Sequence, residues 1–170
     1  MSDTPRLSAP GIVLRPLVLA DAPALFIAMS DPDVQLYRLD AAHSDVSETE
    51  RYIENSLARS SAAWAITEDG GEALGRLALR VPEAGVGEFG IIIRASAQRR
   101  GLGRKALILA EAYAFGTLGL TGLRAEVDAE NEPSLALFRK AGFSNQELLR
   151  AHRTTKLGSR DSIILAKAPP

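Results

Sequence analysis

The sequence contains no cysteine. That excludes disulfide staples, thiolate metal sites and a cysteine nucleophile together, and leaves nothing to suggest an oxidising compartment. No metal is expected. Long apolar runs are also missing. There is no stretch of about 18 apolar residues that could cross a membrane, and "MSDTPRLSAPG" at the start lacks the apolar segment of a signal peptide. The expected location is cytoplasmic, with no membrane partner. An excess of charge is the third absence: 20 Lys and Arg against 21 Asp and Glu leave a net charge of −1. That balance argues against attraction of the whole protein to nucleic acid, so any anion site has to be built locally. No linker and no internal repeat divides the chain. What is present is 170 residues, 46% hydrophobic and 24% charged, enough for a single domain (1–170) with its own core.

Periodicity and punctuation then place the elements. "GIVLRPL" (11–17) reads as a strand, and "LADAPALFIAMSD" as a helix with Asp21 at its N-cap and Pro23 in its first turn. "DPDV" (31–34) stops it. "SETE" (47–50) has capping-box spacing and opens a helix with Tyr52, Ile53 and Leu57 on one face. Strands follow at 62–67, 73–81 and 86–93, the last two joined by a hairpin turn at 82–85. The second half reads as a helix from Gly103 to about Leu118, a strand at 123–129 and a helix at 133–142, with proline at its start and glycine past its end. Two closing strands fall near 145–152 and 161–167, with "HRTTK" as a basic hairpin tip and Asp161 holding the turn. This order predicts an α+β fold, an antiparallel meander joined to a crossover unit in a mixed, mostly antiparallel sheet flanked by about four helices.

The informative segment is "EFGIIIRASAQRRGLGRKALIL" (88–109), in which a strand runs into a basic, glycine-punctuated loop that opens into a helix. A helix's first amides have no intrahelical partner and sit at the positive end of its dipole. Glycines let phosphate oxygens reach the backbone, and Arg99, Arg100, Arg104 and Lys105 supply positive charge. A solvated basic helix start would use the same residues. A P-loop is excluded, because Lys105 follows Arg104 and precedes Ala106. Gly101, Gly103 and Ala106 do satisfy the dinucleotide spacing G-x-G-x-x-A. That fingerprint should follow the first strand of a parallel unit almost at once, however, whereas seven residues separate Ile93 from Gly101 here.

Gln98-x-x-Gly101-x-Gly103 after an E-x-G strand resembles the pyrophosphate loop of the GNAT superfamily of coenzyme A-dependent N-acetyltransferases. "NEPSLALFRKAGF" (131–143) resembles the N-x-x-S…K-x-GF helix of the same superfamily. The opening "LRPLVLADAPALFIAMSDPDV" and the closing "GSRDSIILA" are similar to its RimJ/RimL-like branch, which acetylates the N-termini of ribosomal proteins and various small amines. These blocks run in family order from about Ile12 to Ala166.

The resemblance implies a GNAT-like fold with a splayed sheet. It also implies acetyl-CoA as co-substrate and direct attack of an amine on the thioester without an acetyl-enzyme. Backbone amides of Gln98, Arg99, Arg100, Gly101, Leu102, Gly103 and Arg104 would wrap the pyrophosphate. Ile91, Ile92 and Ile93 would pair with the pantetheine arm and present amides to the carbonyl, although burial explains three isoleucines as well. Asn131, Ser134 and Phe138 would also contact the cofactor. Glu88 is the candidate base; alternation places it with Gly90 and Ile92 on one strand face, where a solvated glutamate would also fit. A base matters more for a lysine-like or polyamine amine, which is only about 0.04% neutral at pH 7, than for an α-amine, which is roughly 10% neutral. His43 and His152 are weaker candidates. Many relatives donate a proton to the leaving thiolate from a tyrosine at the position of Phe138. A phenyl ring cannot, so Ser134 is the candidate donor, although a first-turn serine can simply bond its own backbone. The same duality, cofactor contact or helix cap, holds for Asn131. The acceptor is an amine, either a protein N-terminus or a small molecule such as an amino acid, polyamine or antibiotic. It should meet the segment 35–45 and the final hairpin. Trp64 reads as core, and a homodimer is common among relatives. The alternative is a non-catalytic acyl-CoA-binding sensor of the same fold, which the loss of the tyrosine would suit.

Overall fold

The computed structural model describes residues 3–170. Strands β1 (Leu7–Ala9), β2 (Ile12–Pro16), β3 (Ala62–Thr67), β4 (Gly75–Glu83) and β5 (Val86–Ile93) form an antiparallel meander. Helices α1 (Ala22–Met29) and α2 (Val46–Arg59) are inserted between β2 and β3. After β5, helix α3 (Leu102–Ala112) crosses over to β6 (Gly122–Asp128), which pairs parallel with β5, as a crossover helix permits. Helix α4 (Glu132–Lys140) and the hairpin β7 (Ser144–Thr155) and β8 (Gly158–Lys167) close the chain. The eight strands make one sheet in the order β1-β2-β3-β4-β5-β6-β8-β7.

Strand β3, AAWAIT, explains why helices cover both faces. Its large residues Trp64 and Ile66 join Leu77, Leu79, Leu107 and Leu135 under α3 and α4. Its small residues Ala63 and Ala65 point the other way and let Leu17, Leu25 and Ile53 of the α1–α2 layer approach closely. Trp64 is fully buried, as expected of a core residue, and its indole N–H donates to the Pro5 carbonyl at 2.7 Å.

Five details differ from the sequence reading; one is that the helix expected to reach Leu118 is α-helical only to Ala112 and runs on as a π-helical turn over Tyr113–Thr117. Strand β1 was not anticipated; its three residues carry no periodicity, and it exists by pairing with β2. Asp21 does not cap α1. Its carboxylate is drawn back to the Arg15 guanidinium at 2.6 and 3.0 Å and to the Val18 amide. The cap of α2 lies two residues earlier than predicted: Asp45 accepts from the Glu48 amide at 3.3 Å, and Glu48 reaches back to the Ser44 amide. Ser47 sits inside the helix, bonded to Asp45. The last hairpin is longer than predicted: β7 runs to Thr155, so Arg153 and Thr154 lie within the strand rather than at the tip. Asp161 does hold its backbone, accepting the amide of Ala151 at a bulge where φ is 47°.

The feature that positions the site is the junction of β5 and β6. They pair only from Val86–Gly122 to Glu88–Arg124, then separate. Beyond that point β5 stays on β4 as far as Ile93, and β6 stays on β8 as far as Asp128. Phe89 to Ile93 therefore have a strand partner on one edge only. Gly75 ends this register opposite Ile93, and a Cβ there would run into the Ile92 carbonyl oxygen, with the Ile93 Cα 3.0 Å away. Backbone cannot move aside as a flexible side chain does. Gly75→Ala is expected to destabilise the fold by about 1–3 kcal/mol, lowering the thermal midpoint by roughly 2–12 °C. An unchanged midpoint in thermal denaturation would show that this register is soft.

Candidate active site

A cleft of about 520 Å³ opens where β5 and β6 part. On the α1–α2 face its floor is Arg76 and Ala78 of β4 with Glu88, Gly90 and Ile92 of β5, which alternation sets side by side. Tyr52 and Ser56 of α2 and Tyr37 and Arg38 of the preceding loop close it from above, and Glu126, Asp128 and Arg153 form the β6–β7 wall. Through the gap the cleft reaches Ile91, Val127 and, on α4, Asn131, Ser134 and Phe138. Six of the predicted site residues thus share one cavity: Glu88, Ile91, Ile92, Asn131, Ser134 and Phe138.

The predicted anion loop does not line this cavity but continues from its end. Ile93 touches Gly103, whose Cβ, if present, would lie 3.2 Å from the Ile93 methyl and 3.1 Å from those of Leu137. Gly103 is therefore closely packed where α3 meets α4, and a side chain there would make these methyls shift by a few tenths of an ångström. Gly101 differs: its φ is 76°, the left-handed region that glycine adopts freely, and nothing lies within 4 Å of the position of a Cβ. Arg99 shares that conformation at φ 60°. The first backbone bond onto α3 runs from the Lys105 amide to the Gly101 carbonyl at 3.1 Å. Amides from Arg99 to Arg104 find no acceptor among the described residues, and the side chain of Leu102 is buried. Gln98 braces the turn by donating to the Ile93 carbonyl at 2.9 Å. Arg100 is turned to Glu68 and Lys105 donates to the Pro10 carbonyl. Arg99 and Arg104 are exposed and have neither an ion-pair nor a side-chain hydrogen-bond partner among the described residues.

The family model of an acetyltransferase (GNAT) domain matches residues 12–144. The chain belongs to the GNAT acetyltransferase family. It is 28% identical to an uncharacterized N-acetyltransferase, p20, of Bacillus licheniformis over 152 residues, 85% of each chain. Shorter stretches match better. Over 57 residues, 34% of this chain and 31% of the relative, it is 46% identical to spermidine N(1)-acetyltransferase of Escherichia coli. Over 80 residues, 46% of this chain and 52% of the relative, it is 36% identical to the [ribosomal protein bS18]-alanine N-acetyltransferase of Salmonella typhimurium. The same fold is found in the crystal structure of a GNAT-family acetyltransferase from Bacillus anthracis, with TM-score 0.88 at 17% identity, covering 96% of this chain and 98% of that one.

Within this GNAT cleft the candidate catalytic groups are differently restrained. Glu88 is gripped at both oxygens, by Arg80 at Oε1 and by Arg124 Nε at Oε2 (3.0 Å). Ser134 has its amide tied to the Asn131 side chain at 3.3 Å, while its hydroxyl has no partner among the described residues. Asn131 thus caps α4 and lines the cleft at once. Phe138 is buried edge-on against Phe143, ring centroids 5.2 Å apart. Neither histidine lines the cleft. His43 bonds Thr49 at 2.9 Å, with its imidazole held below its ordinary value mainly by burial. His152 Nε2 lies 3.4 Å from Glu126 on β7.

The sequence reading missed most of the cleft's charges. Arg76 and Arg80 flank Ala78 in "GRLALR", opposite in phase to Leu77 and Leu79, and that phase is a readable sign of a polar sheet face under a helix. Glu126–Arg153 and Asp128–Arg160 pair residues far apart in sequence and left no local signal. The Tyr52 hydroxyl is pushed up by burial, but Arg76 and Arg38 outweigh this and hold it below its ordinary value. Burial likewise pushes the Glu126 and Asp128 carboxyls up. Hydrogen bonds from Arg153 and Ser162 to the first, and from Arg160 to the second, more than offset it, and both end low.

A carboxyl lowered by folding stabilises the protein fully above its unfolded value, here near the ordinary 4.5 and 3.8. That stability drains as the pH falls through the folded values. Glu126→Gln removes one such group. The variant is expected to be less stable than the parent at neutral pH, with the gap narrowing between about pH 5 and pH 3, as read by urea unfolding at a series of pH values. Parallel curves would mean that Glu126 carries no linked proton.

Proposed function

We propose that the protein transfers the acetyl group of acetyl-CoA directly to an amine, forming the amide N–C bond as the C–S bond breaks. One observation carries this reading. A cleft passes through the sheet where β5 leaves β6, and the half-paired edge of β5 (89–93) leads straight to the unsatisfied amides of 99–104. An extended amide-bearing arm fits the first feature and a phosphate fits the second. The relatives named for spermidine and for a ribosomal-protein alanine bring amine acceptors into view.

The residues divide the work. Amides along Ile91 to Ile93 orient and polarise the thioester carbonyl. Glu88, fixed by its two arginines, retains lone pairs for a cleft water and takes the amine's proton through it. Ser134, whose hydroxyl is uncommitted, protonates the departing thiolate in place of the tyrosine that Phe138 replaces. Arg99, Arg104 and the αL turn at Gly101 hold the pyrophosphate.

Coenzyme A at a hundredfold excess over its dissociation constant stabilises by about 2.7 kcal/mol, so the thermal midpoint is expected to rise by roughly 5–11 °C, with no rise from a nicotinamide dinucleotide. Glu88→Gln is expected to lower kcat by about a hundredfold, and Ser134→Ala by about ten- to a hundredfold, with the coenzyme A shift kept in both. No shift with coenzyme A would overturn the reading. A shift without turnover on any amine would leave a binding module instead of an enzyme.

A further inference from the structure

Most arginines in and around the cleft are paired, and the unpaired ones that line it are the exposed Arg59 and two half-buried residues. Arg80, Arg124, Arg153 and Arg160 each meet a carboxylate. Arg38 and Arg76 meet none among the described residues, although both are half-buried and both lie over the same ring, 5.4 and 5.1 Å from the centroid of Tyr52. The Arg76 Nε and Nη2 both donate to the Ser56 hydroxyl, at 3.0 and 2.6 Å. That leaves Nη1 aimed along the cleft floor, 3.6 Å from the position of a Cβ on Gly90. Arg38 makes one long bond, 3.4 Å, to the Tyr52 hydroxyl, and its buried Nε has no acceptor. Asp40 lies on the same rim without forming an ion pair with either. A buried cation without a counter-charge is unfavourable, and a buried donor without an acceptor adds to that. Two of them stacked on one tyrosine, beside the half-paired edge of β5, form a built site for an anion.

We infer that the acceptor is an amine bearing a carboxylate within a few bonds of its nitrogen, and that Arg76 and Arg38 hold that carboxylate beside Gly90. This rests on the acetyl-transfer reading, because Gly90 belongs to the strand segment that presents the thioester. Guanidiniums suit this role, because their planar donor sets match a carboxylate and they stay charged at any working pH. Two unpaired arginines repel a polyamine at the same place. A free amino acid and a peptide beginning with Asp or Glu share the required chemistry.

The test compares acetylation rates, followed by thiol release from acetyl-CoA, for the twenty amino acids, their carboxamides, dipeptides beginning with Asp or Glu, and spermidine. A carboxylate-bearing amine is expected to exceed its carboxamide by about 10- to 100-fold in kcat/KM, the scale of a hydrogen bond to a charged group. Free amino acids and acidic dipeptides in separate arms tell the two sources apart. In Arg76→Met, and independently in the loop variant Arg38→Met, the acid-to-amide ratio is expected to fall towards one. The coenzyme A thermal shift, which reports a different part of the cleft, should persist. Equal rates for acid and amide, preference for spermidine, or no carboxylate-bearing substrate while coenzyme A still binds would each overturn the inference. Loss of the coenzyme A shift in the parent would instead remove the reading on which it stands.

Discussion

The parting of β5 from β6 just after Glu88 and Arg124 is the constraint on which the rest depends. A strand inside a sheet has both edges satisfied. Here β5 gives up one edge from Phe89 to Ile93 while β4 keeps the other in register, so the segment is held rigid and still presents free backbone. An ion-pair cluster sits at the fork: Arg124 of β6 reaches Glu88 of β5 and Glu83 of β4. The cluster joins three strands at the last paired position and marks where pairing stops. Without the fork, the apolar contents of both layers would close over a continuous sheet, and α3 would begin at a surface with no groove leading to it.

The fork also bears on how a protein with almost no net charge would hold the anions proposed for it. Local backbone supplies one site, the amides at 99–104, and local side chains supply the cleft. Opposite charges there are spent on one another at Glu88, Glu126 and Asp128, fixing the walls. The hairpin takes part in that fixing. Lys156 donates to the Gln35 carbonyl at 3.1 Å and Arg160 lies 5.8 Å from the Tyr37 ring, so the β7–β8 tip and the 31–40 loop brace each other over the cleft mouth. Rigid walls matter, because a cleft that collapsed would pair Arg38 and Arg76 with the nearest acid.

How much of this was legible depended on range. The glycine-bearing turn into α3, the order of elements after β1 and the helix capped at Asn131 were readable because each is written in adjacent residues: glycine spacing, hydrophobic period, proline then glycine. Even the features that moved were local competitions. Asp45 and Ser47 both can cap, and Asp45 wins because its carboxylate bonds the Glu48 amide while Glu48 returns to Ser44. Asp21 could have capped α1 but was captured by Arg15, whose guanidinium the sheet places beside it. The arginine walls were not readable in the same way. Their partners lie on other strands, and a lone arginine in a sequence does not say whether it will be paired.

That difference makes unpaired charge more informative than paired charge. An ion pair such as Arg160–Asp128 has a sufficient reason to exist in the fold itself, since each group relieves the burial of the other. Arg76 has no counter-charge, only the Ser56 hydroxyl and the Tyr52 ring. Replacing it by an apolar residue of similar length would relieve the folded state of a half-buried cation, and the hydroxyl of Ser56 could be satisfied by water. Burial pulls its guanidinium below the ordinary value; the charge of Tyr52 opposes this, and the nearby Arg38 and Arg80 add to the lowering. The free protein therefore leaves this charge without a counter-ion, which the proposed carboxylate would supply. Because Arg76 and Glu88 stand on the same face of paired strands, with Gly90 leaving the floor between them bare, the anion held by one and the amine served by the other lie side by side. On the proposed reading, the cleft's charges would order an acceptor end to end: its carboxylate towards α2, its amine towards the fork, and the acetyl group arriving through the gap between β5 and β6.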